Sequence, residues 1–76
     1  MIEDLYILLN ELKPDVDFRC ADNLINEGIL ESYDIIDIVA RIESFYQISV
    51  DIFDIIPENF TNAKKIYEMI KRYVEK

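Results

Sequence analysis

The chain has no histidine and no tryptophan, and its 76 residues include a single glycine, a single cysteine and two prolines. Each shortage closes off a class of chemistry. Without histidine the commonest general base and metal ligand is missing, so a zinc site would have to be built from carboxylates and one thiol. One glycine cannot supply a G-x-G-x-x-G or Walker-type phosphate loop. The acids around Asp15–Asp17 and Asp51–Asp54 lack the spaced ligands, central glycine and closing glutamate of a calcium loop. Lone Cys20 cannot close an internal disulfide, which fits a reducing compartment and a small buried or half-buried apolar side chain. No metal site and no catalytic residue are expected, and a small helical fold leaves little volume for a substrate pocket. The chain reads as something other than an enzyme acting alone.

Bases and long apolar runs are scarce too. Eight Lys and Arg face sixteen Asp and Glu, a net charge of −8, and such a surface repels nucleic acid. The imbalance is uneven: residues 1–60 hold fourteen acids and three bases, whereas residues 61–76 hold two acids and five bases. Basic protein partners are therefore steered towards the first sixty residues. The opening apolar run spans only Leu5–Leu9 behind an acidic start, neither a signal peptide nor a membrane span. A cytoplasmic protein with no membrane insertion is expected.

What is present suits one small domain over residues 1–76. The composition is 51% hydrophobic with nine Tyr and Phe, globular rather than disordered. At this length folding hides only ~60% of the surface that the unfolded chain exposes, so the core is thin. A monomer is expected.

Ile2, Leu5, Leu9 and Leu12 follow helical spacing, widened by Ile7 and Leu8, and Lys13-Pro14 ends that helix because a residue before proline leaves the α region. Residues 14–31 carry turn formers and scattered apolar anchors without a steady period. They read as a long loop pinned to the core, a feature usually functional when ordered. From Ser32 the period returns: Ile35, Ile38, Val39, Ile42, Phe45 and Tyr46 share one face. Asp34, Asp37, Arg41 and Ser44 make the polar one, with Asp37 and Arg41 spaced for an i,i+4 pair. Asp51–Ile56, ahead of Pro57, suggests one or two helical turns. Thr61 or Asn62 can cap a last helix that buries Ala63, Ile66, Tyr67, Ile70, Tyr73 and Val74. The expected fold is all-α, a small antiparallel bundle of three main helices and one short one with a long first loop.

Ser32 stands at the loop-to-helix junction. Read alone it is a cap whose oxygen accepts a first-turn N–H, worth ~1 kcal/mol, with Asp34 adding ~0.3–1 kcal/mol through the helix dipole. No base lies nearby in sequence to activate its hydroxyl, so any chemistry there must be performed by another protein.

The stretch Leu24-Ile25-Asn26-Glu27-Gly28-Ile29-Leu30-Glu31-Ser32-Tyr33-Asp34-Ile35-Ile36 resembles the attachment motif of acyl and peptidyl carrier proteins. That motif runs from Leu through polar residues and Gly to two apolar residues, Asp-Ser-Leu and an amphipathic helix. The likeness extends through Ile38–Glu43, Phe45–Val50 and Pro57–Thr61 and covers about residues 15–74. The resemblance implies an acyl-carrier-like four-helix bundle. It also implies that Ser32 accepts a 4′-phosphopantetheine arm from coenzyme A, delivered by a separate Mg²⁺-dependent phosphopantetheinyl transferase. The arm's thiol would carry cargo as a thioester to acyl- or aminoacyl-loading and acyl-transfer enzymes of fatty-acid, polyketide, nonribosomal-peptide or related biosynthesis. Glu31, Tyr33, Asp34, Asp37 and Glu43 would meet basic patches on those partners. Two positions depart from the pattern: Glu31 replaces the usual Asp, and Tyr33 the usual Leu or Met. The segment Glu27–Ser32 is similar to stand-alone aminoacyl carriers, including the D-alanyl carrier of teichoic acid modification. The rival reading is an unmodified acidic helical module that only docks to partners.

Overall fold

The computed structural model describes residues 2–75, and among them every regular element is helical. Helix α1 spans Ile2–Leu12, α2 Ser32–Tyr46 and α3 Ala63–Val74; two 3₁₀ turns, Ile52–Asp54 and Pro57–Phe60, lie between α2 and α3. The helix boundaries follow the sequence periodicity closely. The helical turns expected over residues 51–56 take the form of one 3₁₀ turn.

The core forms where the three apolar stripes meet. Leu5 and Leu9 of α1, Ile42 of α2, and Ile66, Met69 and Ile70 of α3 are fully buried together with Leu24 and Phe60 from the connections. Helix α1 packs against both α2 and α3, and the second 3₁₀ turn packs against α3. Several side chains depart from the expected faces. Ile7, Phe45 and Val74 are exposed, whereas Tyr6 and Met69 are buried. Ile7 lies on the side of α1 opposite the buried Leu5, Tyr6, Leu8 and Leu9, Phe45 lies at the edge of the α2 stripe, and Val74 is the last residue of α3.

The long loop is pinned, as its anchors suggest. Phe18, Leu24 and Leu30 reach the core, and the Leu24 N–H donates to the Thr61 carbonyl at 2.7 Å, tying the loop to the start of α3. Asn62 Nδ2 donates to the Asp22 carbonyl, while Asn62 Oδ1 accepts from the Lys65 N–H at 2.9 Å and caps α3. On the other side Arg19 sits 4.2 Å from the centre of the Tyr6 ring, a cation–π contact to α1. Cys20 is exposed rather than buried, because the neighbouring loop anchors fill the core. Hydrogen bonding to Asp17, reinforced by that carboxylate's charge, raises its thiol pKa.

Gly28 turns this loop back towards α2. Its φ is +73°, and both Ile29 and Leu30 donate to the Leu24 carbonyl, at 2.9 and 3.0 Å. A Cβ at Gly28 would meet nothing within 4 Å, so only backbone strain opposes a side chain here. Gly28→Ala should therefore destabilise by about 1–2 kcal/mol, and Gly28→Asn by less, since Asn tolerates the left-handed region. Urea denaturation checks the order; equal stability of all three proteins would contradict it.

Tyr46 carries a polar atom that the fold leaves unsatisfied: its hydroxyl is buried without a hydrogen-bond partner among the described residues. Burial, then the charge of Asp4, raises its pKa, and burial followed by the hydrogen bond to Asp54 raises that of Tyr73. Both shifts favour the neutral phenol in the folded state. Their contribution is thus complete below the unfolded tyrosine pKa of about 10 and is lost as pH rises through the higher folded values. Tyr46→Phe should raise stability at neutral pH by about 1 kcal/mol and flatten the alkaline decline. Denaturation between neutral and strongly alkaline pH measures both; lower stability with an unchanged alkaline slope would contradict the assignment.

Candidate functional site

The N-terminus of α2 is built differently from a serine-capped helix. Glu31 occupies the cap position with extended backbone (φ −113°, ψ 175°), and Ser32 is the first helical residue. Asp34 Oδ2 accepts the Glu31 N–H at 3.0 Å, and the Ile35 N–H closes the first turn on the Glu31 carbonyl at 3.1 Å. The expected capping role of Ser32 is therefore corrected: Glu31 and Asp34 form a reciprocal capping box, the Glu31 side chain facing the Asp34 N–H and the Asp34 carboxylate accepting the Glu31 N–H, and a residue inside the first turn cannot fill the cap position. Ser32 is exposed, and its hydroxyl has no hydrogen-bond partner among the described residues.

Asp34 departs furthest from its expected place on the polar face. It is 9% exposed, and its Oδ2 also lies 3.3 Å from Lys13 Nζ, just beyond the end of α1. The contact joins the end of the first helix to the beginning of the second. The resemblance implied that Asp34 would meet basic patches on partners; here its carboxylate is turned inward to a cation and a backbone donor. Glu43 is likewise committed. Half-buried, it accepts the Val50 N–H at 2.8 Å and holds the chain as it leaves α2, after a left-handed turn at Gln47 (φ 59°). The expected Asp37–Arg41 pair is replaced by one across helices, with Arg41 3.4 Å from Glu11 of α1.

Glu31, Tyr33 and Asp37 remain on the surface, the first two flanking Ser32 in sequence. Tyr33 is 62% exposed, and its pKa is raised first by hydrogen bonding to Glu31, then by the charges of Glu31 and Asp34. The two residues that flank Ser32 thus interact with each other. Sequence reasoning missed two participants. Ile36, one turn after Ser32, is 65% exposed; its position off the stripe of Ile35, Ile38, Val39 and Ile42 was the available signal. Lys13 gave no signal, because its contact bridges 21 positions of sequence.

Chemically the site offers a bare hydroxyl on the first turn of a fifteen-residue helix, where N–H groups lack intrahelical acceptors and the dipole favours an anion. A phosphodiester on Ser32 fits this arrangement. The hydroxyl is reachable from solvent and engaged by no neighbour, and the cap contacts do not depend on it. Among the described residues no group of three or more His, Cys, Asp or Glu could hold a metal ion, and no helix is long and apolar enough to cross a membrane. No protein-family model matches the chain, and neither a curated protein nor a solved structure does.

Proposed function

We propose that this protein is a carrier whose Ser32 is the attachment point for a 4′-phosphopantetheine arm, and that it is a substrate of other enzymes rather than a catalyst. The single observation that carries the reading is the unengaged, exposed hydroxyl of Ser32 within the segment Leu24–Ile36. A serine needed for capping would have its oxygen occupied, but here Glu31 and Asp34 cap the helix reciprocally and leave Ser32 available. The all-α order, with a pinned loop ahead of α2 and short turns ahead of α3, agrees with an acyl-carrier-like bundle in which the 3₁₀ turns take the place of the short helix.

The arm supplies a terminal thiol that holds cargo as a thioester, and its length raises the cargo's effective concentration at each docked enzyme. First-turn N–H groups of α2 would favour the phosphodiester, while the acids beside it favour an arm directed outward. Glu31, Tyr33 and Asp37, with Ile36 beside them, form the face that transferase and loading enzymes would read. The cargo class that the segment Glu27–Ser32 favours is an aminoacyl group, D-alanyl among them.

The arm introduces a thiol, which gives a direct test. In a Cys20→Ser background the protein has no thiol. Incubation with coenzyme A, Mg²⁺ and a broad-specificity phosphopantetheinyl transferase should create one titratable thiol per chain after removal of free coenzyme A. Ser32→Ala in the same background should gain none. No thiol on the Ser32 protein, or equal thiol on both, would contradict the proposal.

A further inference from the structure

Ile52 and Phe53 are the most exposed large apolar side chains among the described residues, 75% and 83% accessible. They do not sit on a loosely held tip. Asp51 Oδ1 accepts the Phe53 N–H at 2.9 Å, and the Asp54 and Ile55 N–H groups close the 3₁₀ turn on the carbonyls of Asp51 and Ile52. The turn is then fastened to the last turns of α3. The Tyr73 hydroxyl accepts the Asp51 N–H at 2.9 Å and donates to the Asp54 carboxylate, and Arg72 lies 3.8 Å from that carboxylate. Asn59 Nδ2 donates to the Asp54 carbonyl at 2.7 Å. A polar scaffold therefore holds two apolar side chains out in water.

Acids dominate their sequence neighbourhood, and Arg72, the base that lies against the turn, faces the Asp54 carboxylate. From Ile42 to Ala63 the chain has no Lys or Arg, while Glu43, Asp51, Asp54 and Glu58 fall within that span; Asp51 and Glu58 are exposed. We infer that the turn Ile52–Asp54 is a docking knob for a partner protein that presents an apolar stripe edged by Lys or Arg. A pre-shaped aromatic and aliphatic pair loses little freedom on binding, and an aromatic anchor with a charge-matched rim is the pattern that concentrates binding energy and sets specificity. The acidic rim disfavours an anionic lipid surface, and a second copy would bring acids against acids. This surface works through contact alone and is independent of whether Ser32 is modified.

The probe is a synthetic amphipathic helix with a Leu face and Lys edges, titrated into the isotopically labelled full chain and followed by NMR and calorimetry. Chemical-shift changes should centre on residues 51–58. Affinity should fall at least tenfold in Ile52→Ser/Phe53→Ser, with that variant's thermal midpoint unchanged, and should weaken with added salt. A Leu/Glu helix should bind at least tenfold more weakly. Shifts centred on another face, such as the 340 Å³ groove between α1 and α2 lined by Ile7 and Phe45, would overturn the inference. So would equal affinity for the double variant or equal binding of the Leu/Glu helix. Knob-dependent dimerisation without the probe would assign the surface to a second copy, and knob-dependent partition onto phosphatidylserine vesicles would assign it to lipid; either result refutes a protein partner.

Discussion

Phe60→Ala should cost about 3–5 kcal/mol of folding stability, the range for deleting a fully buried ring. Phe60 closes the second 3₁₀ turn, has no solvent exposure, and belongs to the same cluster as Leu5, Leu9, Ile42 and Ile66. The chain's 76 residues hold in total roughly 4–11 kcal/mol at the usual stability per residue. One truncation therefore removes a large part of the margin, and the variant should be substantially unfolded at 37 °C. Ile52→Ala, with its side chain three-quarters exposed, should lie within about 0.5 kcal/mol of wild type. Urea denaturation of the pair compares a core anchor with a surface side chain of similar chemistry. A Phe60→Ala protein within about 1 kcal/mol of wild type would contradict the burial assigned to that ring.

Asp34→Ala should cost about 1–2 kcal/mol, the upper part of the range for a lost helix-cap contact. One carboxylate oxygen serves both the Glu31 N–H and Lys13, so its removal leaves a part-buried donor unpaired and frees the end of α1 from the start of α2. Asp34→Asn keeps an acceptor but loses the charge, and should lie between the two. Lys13→Met should be milder than Asp34→Ala, because the lysine side chain is already 30% exposed and a part-exposed ion pair contributes little. Hydrogen exchange gives a local readout: the Ile35 amide, bonded to the Glu31 carbonyl, should exchange faster in Asp34→Ala while the α3 amides keep their protection. Stability and Ile35 exchange both unchanged would contradict the role given to Asp34.

The fold was readable where a pattern is local. Three apolar stripes with a 3.6-residue period gave α1, α2 and α3, and Pro14 and Asn62 marked an end and a beginning through backbone chemistry confined to neighbouring residues. What escaped is what depends on distant chain. Asp34 looks like a solvent-facing acid until Lys13, 21 positions earlier, meets it. Glu43 looks like a docking charge until the left-handed turn at Gln47 brings Val50 back to it. The cap moved from Ser32 to Glu31 because the chain enters α2 in extended conformation one residue earlier than residue preference suggests. That single step turns Ser32 from a structural oxygen into an unengaged one. The exposure of Ile52 and Phe53 was equally hidden, since the network that fixes their turn runs to Tyr73, 22 positions after Asp51.

Localising the modified residue is the most direct test of the account. The protein should be incubated with coenzyme A, Mg²⁺ and a broad-specificity transferase, digested, and its peptides fragmented in a mass spectrometer. The three serines, Ser32, Ser44 and Ser49, lie at different positions relative to α2, and only Ser32 occupies its first turn. One phosphopantetheine should be found, on Ser32 alone. An unmodified protein, or an arm found on Ser44 or Ser49, would contradict it.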